Sequence, residues 1–200
     1  MTKPITGLLF GSFNPVHTGH LIIAQHFVQH TEVGEVWFVL SPQNPFKTEE
    51  EMLSEEGRME LLRLAVEDNP SFRICDIELF MEKPSYTIHT IKRLKTLHPE
   101  RAFVLLIGSD NLEAFDQWKN YEEILSLLTV FVYPRSDDQA SPFSTRPNVR
   151  PIDAPRLEIS STGIRQDLAK SKDPRYLLPE KVRKCILEKG YYTLPRDLTN

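Results

Sequence analysis

An α/β fold built on a parallel sheet is what the sequence predicts, and two observations carry that expectation. Apolar runs of strand length recur at 7–10, 35–40, 102–107 and 130–133. Between them lie stretches whose apolar residues return every three or four positions, the spacing of amphipathic helices. Strands alternating with helices form βαβ units, whose crossovers are right-handed and whose ligands sit beyond the carboxyl ends of the strands. One domain over residues 1–200 accommodates the pattern, with helices on both faces of the sheet and a small helical part at the C-terminal end.

The first strand, Gly7-Leu8-Leu9-Phe10, runs into Gly11-Ser12-Phe13-Asn14-Pro15-Val16-His17-Thr18-Gly19-His20. A helix over 19–30 follows, with Leu21, Ile22, Ala24, Phe27 and Val28 at helical spacing. A strand, a tight loop and a helix start offer unpaired backbone N–H groups and the positive end of a helix dipole, which suits phosphate. Gly11 lets the backbone turn or a ligand approach closely, and Pro15 stiffens the loop. With the helix beginning near Thr18, His17 and His20 share one face at its start. The plain alternative is a loop with two surface histidines. Zinc is the poorer reading, since the Glu of His-Glu-x-x-His is missing and no cysteine stands nearby.

The second strand ends at Ser41-Pro42, and the loop after it carries Lys47, either at a phosphate or simply solvated. Ser54 and Gly57-Arg58 open a helix that Asn69-Pro70 stops. The stretch 73–79 alternates like a strand with one wetter face, and Ser85-Tyr86-Thr87 begins a helix that ends before Pro99. The most apolar run, 102–107, is expected at the centre of the sheet, delivering Gly108-Ser109-Asp110 to the same edge as His17. Leu112, Phe115 and Trp118 are spaced to line one helical face, followed by a short helix from Tyr121. Pro134-Arg135 closes the strand 130–133, and residues 136–148 read as a polar loop. A short last strand is expected at 150–152. A hydroxyl among Ser160, Ser161 and Thr162 caps a helix through Ala169. Leu178-Pro179-Glu180 opens the last helix, which Lys189-Gly190 ends.

The net charge of −4, with no basic stripe, argues against nucleic acid as the main partner, so an anionic nucleotide would be held by helix ends and a few placed cations. Cys75 and Cys185 match no metal or redox spacing and are expected to be buried free thiols. The start lacks the apolar core of a signal peptide, and no apolar run nears the ~18 residues of a membrane span, so a cytoplasmic protein without membrane contact is expected. The oligomeric state is open, a homo-oligomer included. Neither the P-loop nor the Gly-x-Gly-x-x-Gly fingerprint is present.

GSFNPVHTGH (11–20) resembles the GxFxPxHxGH signature of the nucleotidyltransferase superfamily, and Ile159-Ser160-Ser161-Thr162-Gly163-Ile164-Arg165 is similar to its second mark, ISSTxIR. The second stretch also stands on its own physics. Hydroxyls and N–H groups at a helix start, with an arginine one turn in, make a fork for phosphate oxygens, whereas the plain reading is an N-cap with a surface arginine. Ser85-Tyr86-Thr87, then Ile107-Gly108-Ser109-Asp110 with Phe115 and Trp118, then Arg135, look like the nicotinate-mononucleotide adenylyltransferase family. The likeness runs from Gly7 to Leu168 in the family's motif order.

That resemblance implies a Rossmann-like, doubly wound sheet and adenylyl transfer from ATP, with Mg²⁺, to nicotinate mononucleotide. It implies that His17, His20 and Arg165 hold the triphosphate, helped by Ser160 or Ser161, with Gly11, Ser12 and Phe13 in the ATP-binding loop. Gly108 and Asp110 would meet the adenosine ribose, although Asp110 could instead cap the next helix. Thr87 and Trp118 would take the nicotinate end, with Trp118 stacking on the ring or else serving as a core aromatic. Tyr86, Arg135 and Lys47 join the substrate-binding set. No residue is expected to hold a metal by itself. The sequence departs from the family's common pattern at Asn14, often Asp, and at Asn44-Pro45-Phe46-Lys47, often Pro-Pro-His-Lys; His89, often Asp, is assigned no role.

No activated nucleophile is visible, and the mononucleotide's own phosphate can attack the α-phosphorus directly, so positioning and charge stabilisation suffice. Transfer to phosphopantetheine, cytidylyl transfer, a nicotinamide or dual-specificity enzyme and an inactive nucleotide-binding regulator are the competing readings. The Trp118 region and Ser85-Tyr86-Thr87 argue against the first two, and intact His17, His20 and Arg165 against the last.

Overall fold

The computed structural model describes residues 3–42, 52–135 and 141–193. Among these, six parallel strands form one sheet in the order β3-β2-β1-β4-β5-β6. The strands are β1 (Ile5–Gly11), β2 (Glu35–Leu40), β3 (Phe72–Cys75), β4 (Ala102–Gly108), β5 (Thr129–Tyr133) and β6 (Val149–Pro151). This is the doubly wound Rossmann order, in which the chain reverses its direction of growth between β1 and β4.

The central strands are apolar throughout because both of their faces are covered. Successive residues alternate between two cores: Leu8, Trp37, Val39, Leu105 and Val130 enter one, and Leu9, Phe38, Leu40, Leu106 and Phe131 the other. Helices α1 (Thr18–His30) and α2 (Glu55–Val66) pack on the second face, where α6 (Ser161–Ala169) and α7 (Glu180–Lys189) join them. On the opposite face lie α3 (Thr87–Leu97), α4 (Ser109–Glu113) and α5 (Tyr121–Leu127).

Local chemistry sets most of the boundaries. The Ser54 hydroxyl accepts from Gly57 N–H at 3.1 Å and caps α2, Ser160 caps α6 in the same way through Gly163, and Gly190 ends α7 in the left-handed region at φ 66°.

Two expectations need correction. The stretch 73–79 is a strand only as far as Cys75, after which Ile77–Phe80 forms a 3₁₀ turn. That turn takes Glu78 inward, 2% exposed, where hydroxyls satisfy its carboxylate; a continued strand would have carried it past the end of the pairing with β2. Leu112, Phe115 and Trp118 likewise do not share one helix. α4 stops at Glu113, a 3₁₀ turn spans Phe115–Gln117, and Trp118 follows in extended conformation. Leu112 and Phe115 fill the core, whereas Trp118 is half-buried at its edge.

Strand register brings the site together. Gly11 pairs with Leu40, and Gly108 with Tyr133, so the loops after β1, β2, β4 and β5 open at one edge. Lys47 and residues 136–140 of the polar loop lie outside the described residues; beyond them, Pro142–Thr145 is a 3₁₀ turn.

Candidate active site

Two concavities flank the carboxyl end of β1. Leu9, His17, Gly19, His20, Tyr133 and Arg135 line the first, closed by Pro155, Leu157 and Ile159. The second, about 180 Å³, lies on the other side of the sheet between Gly11 and Ser12, the turn at Glu78, the start of α3, and Trp118-Lys119. Consecutive residues of β1 thus serve different pockets, Leu9 one and Phe10 the other, because strand side chains alternate.

At the start of α1 the histidines stack, with ring centroids 3.7 Å apart and planes 24° from parallel. His17 N–H donates to His20 Nδ1 at 3.2 Å. An acceptor Nδ1 holds no proton, so Nε2 carries the N–H of neutral His20, leaving it as that ring's donor. His17 is 4% exposed, and burial, aided by the Arg135 guanidinium, pushes its pKa down to about 3. It is therefore a neutral imidazole near pH 7, and its buried Nδ1 has no partner among the described residues. Gly19 makes room for this ring, since a Cβ there would stand 3.0 Å from His17 Nδ1.

The helix start itself is less bare than the sequence suggests. Thr18 N–H donates to Leu177 O at 2.9 Å, and His20 N–H to His17 O at 3.0 Å. The C-terminal segment thus occupies a backbone donor that a phosphate could otherwise have used. Imidazoles and cations replace it as the groups facing the cleft.

The two sequence marks are physically joined. Ser161 Oγ donates to Pro15 O at 2.9 Å and Arg165 Nη1 to Asn14 O at 2.9 Å, so the start of α6 is bolted to the loop after β1. Asn14 Oδ1 accepts from Leu53 N–H at 3.1 Å and from Tyr192 O–H at 2.8 Å. Ser160 is the N-cap of α6. Phe13 adopts φ 43°, a strained setting for a residue with a side chain, and its buried ring packs 5.1 Å from His20 and 5.7 Å from Phe38. A Cβ on Gly11 would stand 3.1 Å from the Phe13 ring, so this glycine makes room for a neighbouring side chain.

Beneath the loop lies Arg58, 1% exposed, a residue that the sequence reading places only at a helix start. Its guanidinium donates to Ser12 O, Ser41 O and Pro42 O, each at 2.8 Å, and to Leu53 O at 3.1 Å. One side chain therefore ties the loop after β1 to the loop after β2. A planar fork of five N–H donors suits such a junction of carbonyls, which no other side chain could satisfy together.

Gly108 allows Asp110 and Arg135 to converge: a Cβ there would crowd Asp110 Oδ1 and stand 2.7 Å from Arg135 Cδ. Arg135 Nη1 is 3.9 Å from Asp110 Oδ2, and Asp110 Oδ1 accepts from the N–H of Asn111, the third residue of α4, so one carboxylate oxygen satisfies a donor at that helix start while the other faces the guanidinium. Arg135, grouped by resemblance with the substrate set, lines the histidine cleft and not the pocket of Trp118. Gly11 and Ser12 line the Trp118 pocket, and buried Phe13 lines neither.

In the second pocket Trp118 leans on Phe115, centroids 5.2 Å apart, and Tyr86 and Thr87 stand at the start of α3. Glu78 underlies that start, accepting from Ser85 Oγ at 2.8 Å and Thr90 Oγ1 at 2.7 Å. Sequence reasoning misses Glu78, because a strand reading of 73–79 gives no hint that the chain turns inward there. Lys119 is missed as well, although it directly follows Trp118.

A family model described as Cytidylyltransferase-like matches residues 8–167. A probable nicotinate-nucleotide adenylyltransferase from Cytophaga hutchinsonii is 46% identical over 187 residues, 94% of this chain and 97% of that protein. One of the same description from Bacteroides fragilis is 46% identical over 188 residues, 94% of each chain. Among solved structures, a Plasmodium falciparum nicotinic acid mononucleotide adenylyltransferase complexed with NaAD superposes with a TM-score of 0.79 at 20% identity, covering 96% of this chain and 98% of that one. At that identity the likeness bears on the fold.

Proposed function

The chain belongs to the cytidylyltransferase-like family, and we propose that it transfers the adenylyl group of ATP to nicotinate mononucleotide, releasing pyrophosphate. The observation that carries this reading is the pair of pockets on either side of the end of β1, one crowned by His17, His20 and Arg135 and the other walled by Trp118 and Thr87. A reaction that joins two nucleotides needs two such sites meeting at one loop. The description shared by the relatives, probable nicotinate-nucleotide adenylyltransferase, names the acceptor and the group transferred.

In this reading an oxygen of the mononucleotide's 5′-phosphate attacks the α-phosphorus in line. A new P–O bond forms there, the bond from the α-phosphorus to the β-phosphoryl oxygen breaks, and pyrophosphate leaves with its electron pair. The first cleft takes the triphosphate. His20 donates through Nε2 to oxygens where charge grows, neutral His17 holds the neighbouring ring, and Arg135 supplies a cation. Arg165, anchored on Asn14 O, with Ser160 and Ser161, keeps α6 against the loop, so the charge-bearing groups move as one unit. Asp110, near Arg135, is assigned to the ribose, and Trp118 to the flat face of the pyridine ring.

Mg²⁺ enters with ATP. The phosphate oxygens of ATP would carry it. Both cysteines are buried and unpaired, which fits a reducing cytoplasmic setting. No helix of the described residues is long and apolar enough to cross a membrane.

The test is pyrophosphate release with ATP and Mg²⁺ against a panel of acceptors. Nicotinate mononucleotide is expected to exceed nicotinamide mononucleotide by about 10²-fold or more in kcat/KM, the selectivity of a site built for one hydrogen-bonding pattern, and phosphopantetheine to be inert. Equal turnover of the two mononucleotides would favour a dual-specificity enzyme.

A further inference from the structure

We propose that the Lys119 ammonium is the group that recognises the carboxylate of the acceptor's pyridine ring, and so sets the choice between the acid and its amide. The inference rests on the reaction proposed above and names a specificity-determining residue for it. Lys119 lines the Trp118 pocket and leaves the chain directly after that ring, so the two side chains are delivered to the site together. Its Nζ lies 4.1 Å from the centroid of the Tyr86 ring, which also lines the pocket. A cation over an aromatic face is held there electrostatically.

Charge makes the assignment specific. The pocket carries a second ionisable group, Glu78, but both of its oxygens already accept from Ser85 and Thr90. Among the described residues, no carboxylate lies within ion-pair distance of Lys119. With both Glu78 oxygens taken up by hydroxyls, the Lys119 ammonium is the group in the pocket that attracts a carboxylate on the ligand. A carboxamide gains nothing from the ammonium, because Lys offers only donors and the amide NH₂ must then be satisfied elsewhere. The Trp118 ring cannot make this distinction, since the acid and the amide present nearly the same π-face.

The experiment measures kcat/KM for nicotinate and nicotinamide mononucleotides, at two ionic strengths, in the unsubstituted protein, Lys119→Met and Lys119→Arg. Lys119→Met is expected to lose about tenfold with the nicotinate acceptor and less than about twofold with the nicotinamide one, the magnitude suiting a cation that is solvent-exposed in the empty pocket. The loss should fall mainly in KM. Lys119→Arg should retain most of the preference, and salt should raise the nicotinate KM more steeply in the unsubstituted protein than in Lys119→Met. Equal losses with both acceptors would mean that Lys119 meets their shared phosphate, and an unchanged ratio would leave recognition to the α3 start; either result overturns the proposal. Failure of the unsubstituted protein to release pyrophosphate with either mononucleotide would instead overturn the reaction itself.

Discussion

His17 and His20 look alike in the sequence and behave differently once folded. Burial and the nearby guanidinium of Arg135 hold His17 neutral, with its pKa at about 3 against an ordinary 6.5. A base whose folded pKa is depressed binds fewer protons than its unfolded form. Stability is therefore fully present above pH 6.5 and is lost as the pH falls toward 3, at up to about 1.4 kcal/mol for each pH unit. Thermal unfolding between pH 7 and 4 should accordingly show a steeper decline for the unsubstituted protein than for His17→Asn. Parallel curves would remove His17 from the acid-sensitive set. His20 bears instead on rate. If its Nε2–H meets charge that grows in the transition state, His20→Ala should lower kcat by about 10²–10³ while ATP affinity changes less, the effect of losing one preorganised donor. Loss of ATP binding with kcat preserved would confine the residue to ground-state contacts. Cys75, buried and with its thiol pushed up to about 11 by that burial, should react with disulfide reagents only on unfolding.

The decisive elements are those that connect others. α2 sends Arg58 under two loops at the sheet edge, where it satisfies four backbone carbonyls. Removing the guanidinium would leave those acceptors buried without donors. Arg58→Met should therefore cost about 3 kcal/mol or more in urea unfolding, and Arg58→Lys less, because lysine keeps the charge but cannot span the junction. The same variants should raise the KM for ATP, since the strained Phe13 and the Ser12 carbonyl hold the entrance to the histidine loop. The break between α4 and Trp118 acts by the same logic. A continuous helix would have buried the indole beside Phe115; the 3₁₀ turn spends one residue differently and turns it toward the pocket.

At the scale of the molecule, the C-terminal part is locked to the catalytic edge. Leu177 O accepts the Thr18 N–H at the start of α1, Tyr192 O–H reaches Asn14 Oδ1, and Val182, Cys185 and Ile186 of α7 join the core that also contains α1 and α2. A single cooperative unfolding transition is therefore expected, with tryptophan fluorescence and far-ultraviolet circular dichroism coinciding. Separate transitions would show that α6 and α7 unfold independently. Tyr192→Phe should cost about 1 kcal/mol, as for one neutral hydrogen bond, and loosen the loop that carries the histidines.

The strands β1, β2, β4 and β5 were legible in the sequence because a strand covered on both faces must be apolar at nearly every position, a demand local enough to read. Ser54, a hydroxyl among Ser160, Ser161 and Thr162, and Gly190 marked helix ends for an equally local reason, since a cap is satisfied by the chain's own nearest turn; the structure gives the second to Ser160. The histidine loop and the Arg165 segment were identifiable by their resemblance, and the tertiary structure alone decided that they bond to each other through Pro15 and Asn14. Only the fold could decide that Arg58 and Glu78 are buried, because what satisfies them lies in segments the local pattern does not include: carbonyls from the loops after β1 and β2, and hydroxyls across a turn. Likewise, the sequence put Lys119 next to Trp118, but it took the packing of α3 against the chain after α4 to set the ammonium over Tyr86, since a cation finds its ring through space and not along the chain.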